Sequence, residues 1–190
     1  MKFSLPTTIV LVLSVIAAGL LGQFRDSAIE DFQKVAELGQ ELDLDNGQTI
    51  TPLDLSFGQF AVQPSGASSL MSPERLLSIR FQFTTPRESE IIGMRCFLRI
   101  AGDAVVESLA EDNLSFPKPG FRSTGTVIFE VTRENLVGAS VACVPTGVIV
   151  YREPEMVMSL GVTPRNVDQI WENSAYKRVA WLDDTLEVVR

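Results

Sequence analysis

The residues of this chain with the clearest chemistry are its two cysteines, Cys96 and Cys143. Each sits in a run of alternating apolar and polar residues: Met94, Cys96, Leu98 and Ile100 share one face, Val141 and Cys143 another. Both thiols are therefore expected on buried faces of two strands, paired in an intrachain disulfide; the alternative is two free buried thiols acting as small apolar side chains. No Cys-x-x-Cys spacing lowers a thiol pKa, so the pair is not read as redox-active. The chain has no histidine, which removes Ser-His and Cys-His nucleophile pairs, imidazole metal ligands and imidazole acid-base work. Two Ser-x-x-Lys strings, Ser115 to Lys118 and Ser174 to Lys177, have the spacing that sets a lysine beside a nucleophilic serine in penicillin-recognising enzymes. Neither is accompanied by Ser-Asp-Asn or Lys-Thr-Gly, and Pro117 breaks any helix in the first. Asp43, Asp45 and Gly47 have the flavour of a calcium loop, but the glycine comes one position early and no closing glutamate follows, so a polar turn is the reading. Asn113-Leu114-Ser115 fits a glycosylation acceptor, which matters only in a eukaryotic host. We therefore expect no catalytic residues, no metal and no cofactor.

The elements that position these residues begin with an uncharged segment at residues 5–22, LPTTIVLVLSVIAAGLLG. As a helix it would be about 27 Å long at ~1.5 Å per residue, close to the ~30 Å hydrocarbon thickness of a bilayer. Pro6 falls in its first turn, where it is tolerated. The expectation for residues 1–22 is an uncleaved transmembrane signal-anchor. A cleaved signal peptide, cut near Ala17-Ala18-Gly19, and a buried core helix stay open as alternatives. Lys2 and the amine precede the segment and Arg25, Asp26, Glu30 and Asp31 follow it. The positive-inside rule then leaves the N-terminus in the cytoplasm and exports residues 23–190. The whole chain carries 16 basic and 24 acidic residues, a net charge of −8, and nucleic acid is not an expected partner.

Residues 24–41 place Phe24, Ala28, Ile29, Phe32, Val35, Ala36 and Leu38 at helical spacing, so residues 23–48 are read as an amphipathic stalk helix and linker. From Thr49 the period becomes two. Strands are expected at Leu53 to Val62, at Leu77 to Phe83, around Met94 to Ile100, at Val105 to Leu109, at Val127 to Val131 with Thr126, Ile128 and Glu130 outward, around Val141 and Cys143, at Val148 to Val150 and at Met156 to Val162. Residues 63–73 read as a Pro/Ser/Gly-rich loop. Some seven short strands at this spacing predict an all-β antiparallel sandwich over residues 49–163. Residues 164–190, with Trp171 and Trp181, are read as a tail packed on it: a helix from Asn166, a strand from Arg178 and an edge strand at Leu186 to Val189.

The run PKPGFRSTGTVIFEVTREN, residues 117–135, resembles secreted or membrane-anchored immunoglobulin-like domains common in Gram-positive bacteria. Pro119, Gly120, Gly125, Thr126, Val127, Phe129, Glu130 and Val131 carry the likeness, and RLLSIRFQFTTP, residues 75–86, resembles the long strand that precedes that run. The resemblance implies a telokin-like β-sandwich, exported, of unknown function and without catalytic residues. No tryptophan lies between the cysteines, and Val141 stands where an antibody domain has its corner tyrosine.

The functional expectation is a non-catalytic binding or scaffolding module of the cell envelope, held in the membrane by a single pass, with an envelope or membrane protein as partner. The alternatives are a pilin-like structural subunit and, after signal cleavage, a secreted protein. Intact mass of the native chain from separated membrane and medium fractions distinguishes these topologies. The expected result is a full-length, membrane-bound species that gains two hydrogens on reduction; a shortened species in the medium means cleavage.

Overall fold

The computed structural model describes residues 33–44, 47–63, 65–66, 68–86, 93–101, 104–112, 114–146, 155–181 and 185–188. The chain divides into two units, Met1–Gln33 and Lys34–Arg190. The second unit holds the β-structure, and its first strand begins at that border. The apolar segment at 5–22 and the strand expected at 148–150 lie outside the described residues. Among those residues no helix is long and apolar enough to cross a membrane.

In chain order the strands are β1 (Gln33–Val35), β2 (Leu42–Asp43), β3 (Thr49–Val62), β4 (Ser69–Thr84), β5 (Gly93–Arg99), β6 (Val105–Glu107), β7 (Ala110–Asp112) and β8 (Phe121–Val131). Then come the short helix α1 (Arg133–Leu136), β9 (Ser140–Thr146), β10 (Glu155–Ser159), helix α2 (Val167–Asn173), β11 (Arg178–Val179) and β12 (Leu186–Val188). They form two sheets. One has the order β1-β10-β9-β5-β6; the other runs β11-β3-β4-β8-β12, with β2 added to β3 and β7 to β8. The expected all-β sandwich is what the chain forms.

Alternation builds the space between the sheets. Leu77, Ile79, Phe81 and Phe83 of β4 and Val127, Phe129 and Val131 of β8 face Met94, Cys96 and Leu98 of β5, Val141 and Cys143 of β9, and Met156 and Met158 of β10. Each such side chain contributes on the order of 1.5–3 kcal/mol by leaving water. Phe116, from the loop before β8, closes one part of this core with its ring edge-on to Phe83, centroids 5.3 Å apart.

Three expectations are corrected. Residues 33–41 are not helical: β1 lies on the edge of the five-stranded sheet beside β10, and Ala36 N donates to Val157 O at 2.8 Å. Gly39, with φ +80°, turns the chain back where a helix would continue. Ala36 goes inward while Val35 and Leu38 remain exposed, so the apolar spacing does not mark one buried helical face. Residues 69–73, expected in a loop, begin β4. Pro73 fits there because it falls in the bulge between the pairs Gly58↔Leu76 and Phe60↔Met71, before β8 joins the other side at Arg75. The third correction concerns β8: Thr126 and Ile128, expected outward, are buried. The outer face of the seven-stranded sheet carries its own apolar cluster of Ala61, Leu76, Ile128, Val179 and Trp181.

Cys96 and Cys143 face each other directly in the β5–β9 register, Cα atoms 4.1 Å apart and sulfurs at bonding distance. They link neighbouring strands of one sheet rather than the two sheets. The bridge closes a span of 47 residues, for which chain-entropy reasoning gives about 4 kcal/mol. Urea unfolding of the native chain with and without a dithiol reductant is expected to differ by about 2–4 kcal/mol in favour of the oxidised form.

Candidate binding site

The candidate site lies where the chain after α2 crosses the end of β3. Gly58 sits beside the β3 bulge, and a Cβ there would stand 2.4 Å from Lys177 O. Because glycine leaves that space empty, the Lys177 carbonyl comes down onto the strand and accepts from Gln59 N at 2.8 Å and from Phe60 N at 3.4 Å. The Gln59 side chain completes the contact, its Oε1 accepting from Tyr176 N at 2.8 Å. Arg178 then donates to Val62 O at 2.8 Å, and β11 pairs in parallel with Phe60 and Ala61.

A second fastening comes from Arg75, only 7% exposed. Its Nε donates to Ser174 Oγ at 2.9 Å, Nη2 to Trp171 O at 3.1 Å and Nη1 to Glu74 O at 2.8 Å. The guanidinium lies 4.5 Å from the Trp171 ring centroid, a cation–π contact strengthened by burial. Carbonyls at the C-terminal end of α2 and the indole face compensate the charge, as suits a cation beside a helix C-terminus. Ser78 Oγ donates to Ala180 O further along.

This geometry gives Ser174, a candidate of the Ser-x-x-Lys pattern, a structural part. It is buried, its hydroxyl accepts from Arg75 and donates to Trp171 O at 2.9 Å, and Lys177 is exposed with its carbonyl engaged on β3. In the other string Ser115 forms an isolated bridge to Gly93 and its carbonyl accepts from Ser123 Oγ, while Lys118 is exposed. Asp43 uses its main-chain carbonyl to hold Lys34 Nζ at 2.6 Å; Asp45 and Asn113 lie outside the described residues. Among the described residues no His, Cys, Asp and Glu side chains gather as metal ligands. Both tryptophans are engaged in packing, Trp171 under Arg75 and Trp181 in the outer cluster.

On one side of the crossing segment an open groove of about 590 Å³ is lined by Gln59, Phe60, Met71, Ser72, Pro73 and Tyr176. Met71 is 85% and Tyr176 87% exposed. Among the described residues Tyr176 is also the non-glycine residue held at positive φ, +58°, a conformation that costs an L-residue about 1–2 kcal/mol. On the other side a cleft of about 300 Å³ is lined by Phe57, Gln169, Ile170, Asn173, Ser174 and Lys177. Sequence reasoning missed Gly58, Arg75, Met71 and Tyr176. Arg75 left a signal, a charge at the mouth of a strongly apolar strand, and Gly58 left the weaker one of a glycine inside a strand.

No known protein family matches the chain, and no curated protein matches it significantly. Among solved structures it is similar to the yjhA protein from Bacillus subtilis, at a TM-score of 0.44 and 11% sequence identity over 82% of this chain and 99% of that one.

Gly58→Ala is expected to destabilise by about 1–3 kcal/mol, since the added methyl meets backbone that must shift. Arg75→Ala is expected to lose about 2–4 kcal/mol through its unmatched carbonyls, and Arg75→Lys to recover little of it because one ammonium cannot replace the planar fork. Chemical denaturation, with hydrogen exchange at residues 171–179 as local readout, checks both.

Proposed function

We propose that this chain is a non-catalytic binding module of the cell envelope, anchored by residues 5–22 with residues 23–190 outside the cytoplasm, and that the groove beside Tyr176 receives a protein partner. The carrying observation is Tyr176 itself: a large aromatic side chain, 87% exposed, on a backbone conformation unfavourable for it and held there by Gln59. Strained residues that packing does not require concentrate at sites with a function. Tyrosine and methionine beside a shaped apolar floor are also the residue types that dominate protein interfaces. For the anchor, support comes from the uncharged length of residues 5–22 and the charge asymmetry around it. An immunoglobulin-like kinship is supported by residues 121–131 forming one long strand paired along β4. The cysteine bridge within one sheet departs from the antibody pattern.

Tyr176→Gly separates the binding role from a structural one. Removing the ring and the positive-φ penalty together is expected to leave unfolding within about 1 kcal/mol of the parent, or slightly above it. In native electrophoresis of envelope complexes the same variant, combined with Met71→Ser, is expected to run as a smaller species than the parent. An unchanged complex, or a marked loss of stability in Tyr176→Gly alone, overturns the assignment. A reporter fused after Arg190 is expected to be active outside the cytoplasm, and activity confined to the cytoplasm overturns the topology.

A further inference from the structure

Strand β3 has 14 residues, and its edge away from β4 is occupied only at its ends. At one end β2 pairs with Thr49 and Ile50, and Pro52 O accepts from Gly39 N at 2.7 Å. At the other, Gln59 N donates to Lys177 O and β11 pairs with Phe60 and Ala61. Between them, among the described residues, no main-chain group bonds to Leu53–Gly58 from that side. Paired backbone is the rule in folded proteins, and an unpaired strand edge is a template for another chain. The buried Ser56 hydroxyl in the same stretch also has no hydrogen-bond partner.

Next to this open edge is the 300 Å³ cleft. Phe57 and Ile170, both partly buried, supply apolar surface, and Gln169 and Asn173 on α2 form the opposite wall. Lys177 stands at the β11 end; its side chain is exposed and enters no ion pair among the described residues. Strand edge, helix wall and terminal cation together define an occupant. We propose that Leu53–Gly58 is a strand-addition site for an extended segment of a partner protein, about six residues long, apolar at alternate positions and acidic at the end that reaches Lys177. Six residues at ~3.3 Å each span about 20 Å, the gap left between β2 and β11. Main-chain hydrogen bonds supply the affinity, and alternate side chains directed to Phe57 and Ile170 supply the selection. This site is separate from the Tyr176 groove and stands or falls independently of it.

The test uses full-length chain in detergent micelles and an acetylated hexapeptide alternating threonine and leucine and ending in aspartate. Hydrogen exchange is followed at the amides of residues 53–58 that do not bond to β4. They are expected to exchange freely without peptide and to slow at least tenfold at saturation. N-methylation of alternate peptide amides removes the main-chain donors and is expected to weaken binding on the order of 30-fold or more. Lys177→Glu, which keeps the docked carbonyl, is expected to weaken the aspartate peptide about fivefold and to favour a lysine-ended one. Amides already protected in dilute free chain mean that the chain covers its own edge. Protection that grows with protein concentration means that a second copy does. Either result, or peptide binding that leaves these amides unchanged, overturns the proposal.

Discussion

Strand β4 is buried on both faces, and much of the molecule depends on that constraint. Leu77, Ile79, Phe81 and Phe83 require the five-stranded sheet opposite them, while Leu76 and Ser78, both at most 2% exposed, require cover on the other side. A two-layer sandwich meets only the first requirement, since its outer faces are open to water. The second is met by chain from elsewhere in the sequence: β7 brings Ala110, and the stretch after α2 brings Val179 and Trp181 onto Leu76 and Ile128. The Ser78 hydroxyl on that face is matched by the Ala180 carbonyl, while Arg75, on the inward face with Leu77, is matched by the end of α2. The tail is thus a partial third layer whose position is set by hydrogen bonds rather than by apolar contact alone.

Much of this was legible from the chain itself, because period two is an unambiguous signal where one face is buried and the other wet. The inward rows of β4, β5, β8 and β9, and the burial of Cys96 and Cys143 within them, follow from alternation, whereas the direct meeting of the two cysteines needs the β5–β9 register that only the fold supplies. The stalk reading failed over 33–41 because a three-residue edge strand is too short to display any period, and the apolar residues around it happen to fall three and four apart. Residues 69–73 were misread because Pro73 in a serine-rich stretch is a loop signal unless a bulge excuses it, and the bulge exists only once β3 is alongside. Ile128 was placed outward because strict alternation puts it there. Alternation tells which face a residue lies on, not whether a distant segment covers that face.

The site was less legible for the same reason. Gly58 in a strand is an ordinary hint of close backbone approach, but what approaches is Lys177, 119 positions later. Tyr176 lies in a string whose Ser174 and Lys177 suggested a nucleophile and its activator. The fold uses that spacing differently: Ser174 turns inward to Arg75, the Lys177 carbonyl turns down to Gln59, and Tyr176 just before it is forced through positive φ and presents its ring to solvent. A chance motif for chemistry is a tight turn for docking.

The two sheets treat their edges differently. In the five-stranded sheet the β5–β9 pair is held by the Cys96–Cys143 bridge, and across its outer face Arg99 of β5 reaches past β9 to Glu155 of β10 at 2.6 Å while lying over Phe97. Ala142, on β9 between those strands and flanked by Phe97 and Val157, is fully buried. Its edge strands are three residues long, which blunts them as templates. The seven-stranded sheet has no disulfide among the described residues, only the Arg80–Asp54 ion pair between β4 and β3, and its long strand β3 is capped at both ends but not between. The caps are short because each is limited by its own turn: β2 by the return at Gly39, and β11 by the parallel entry that the Lys177 carbonyl imposes. The tail reaches β3 from the turn that follows α2 and pairs only with Phe60 and Ala61, so the geometry that fastens it also stops its pairing there and leaves the middle of β3 uncovered.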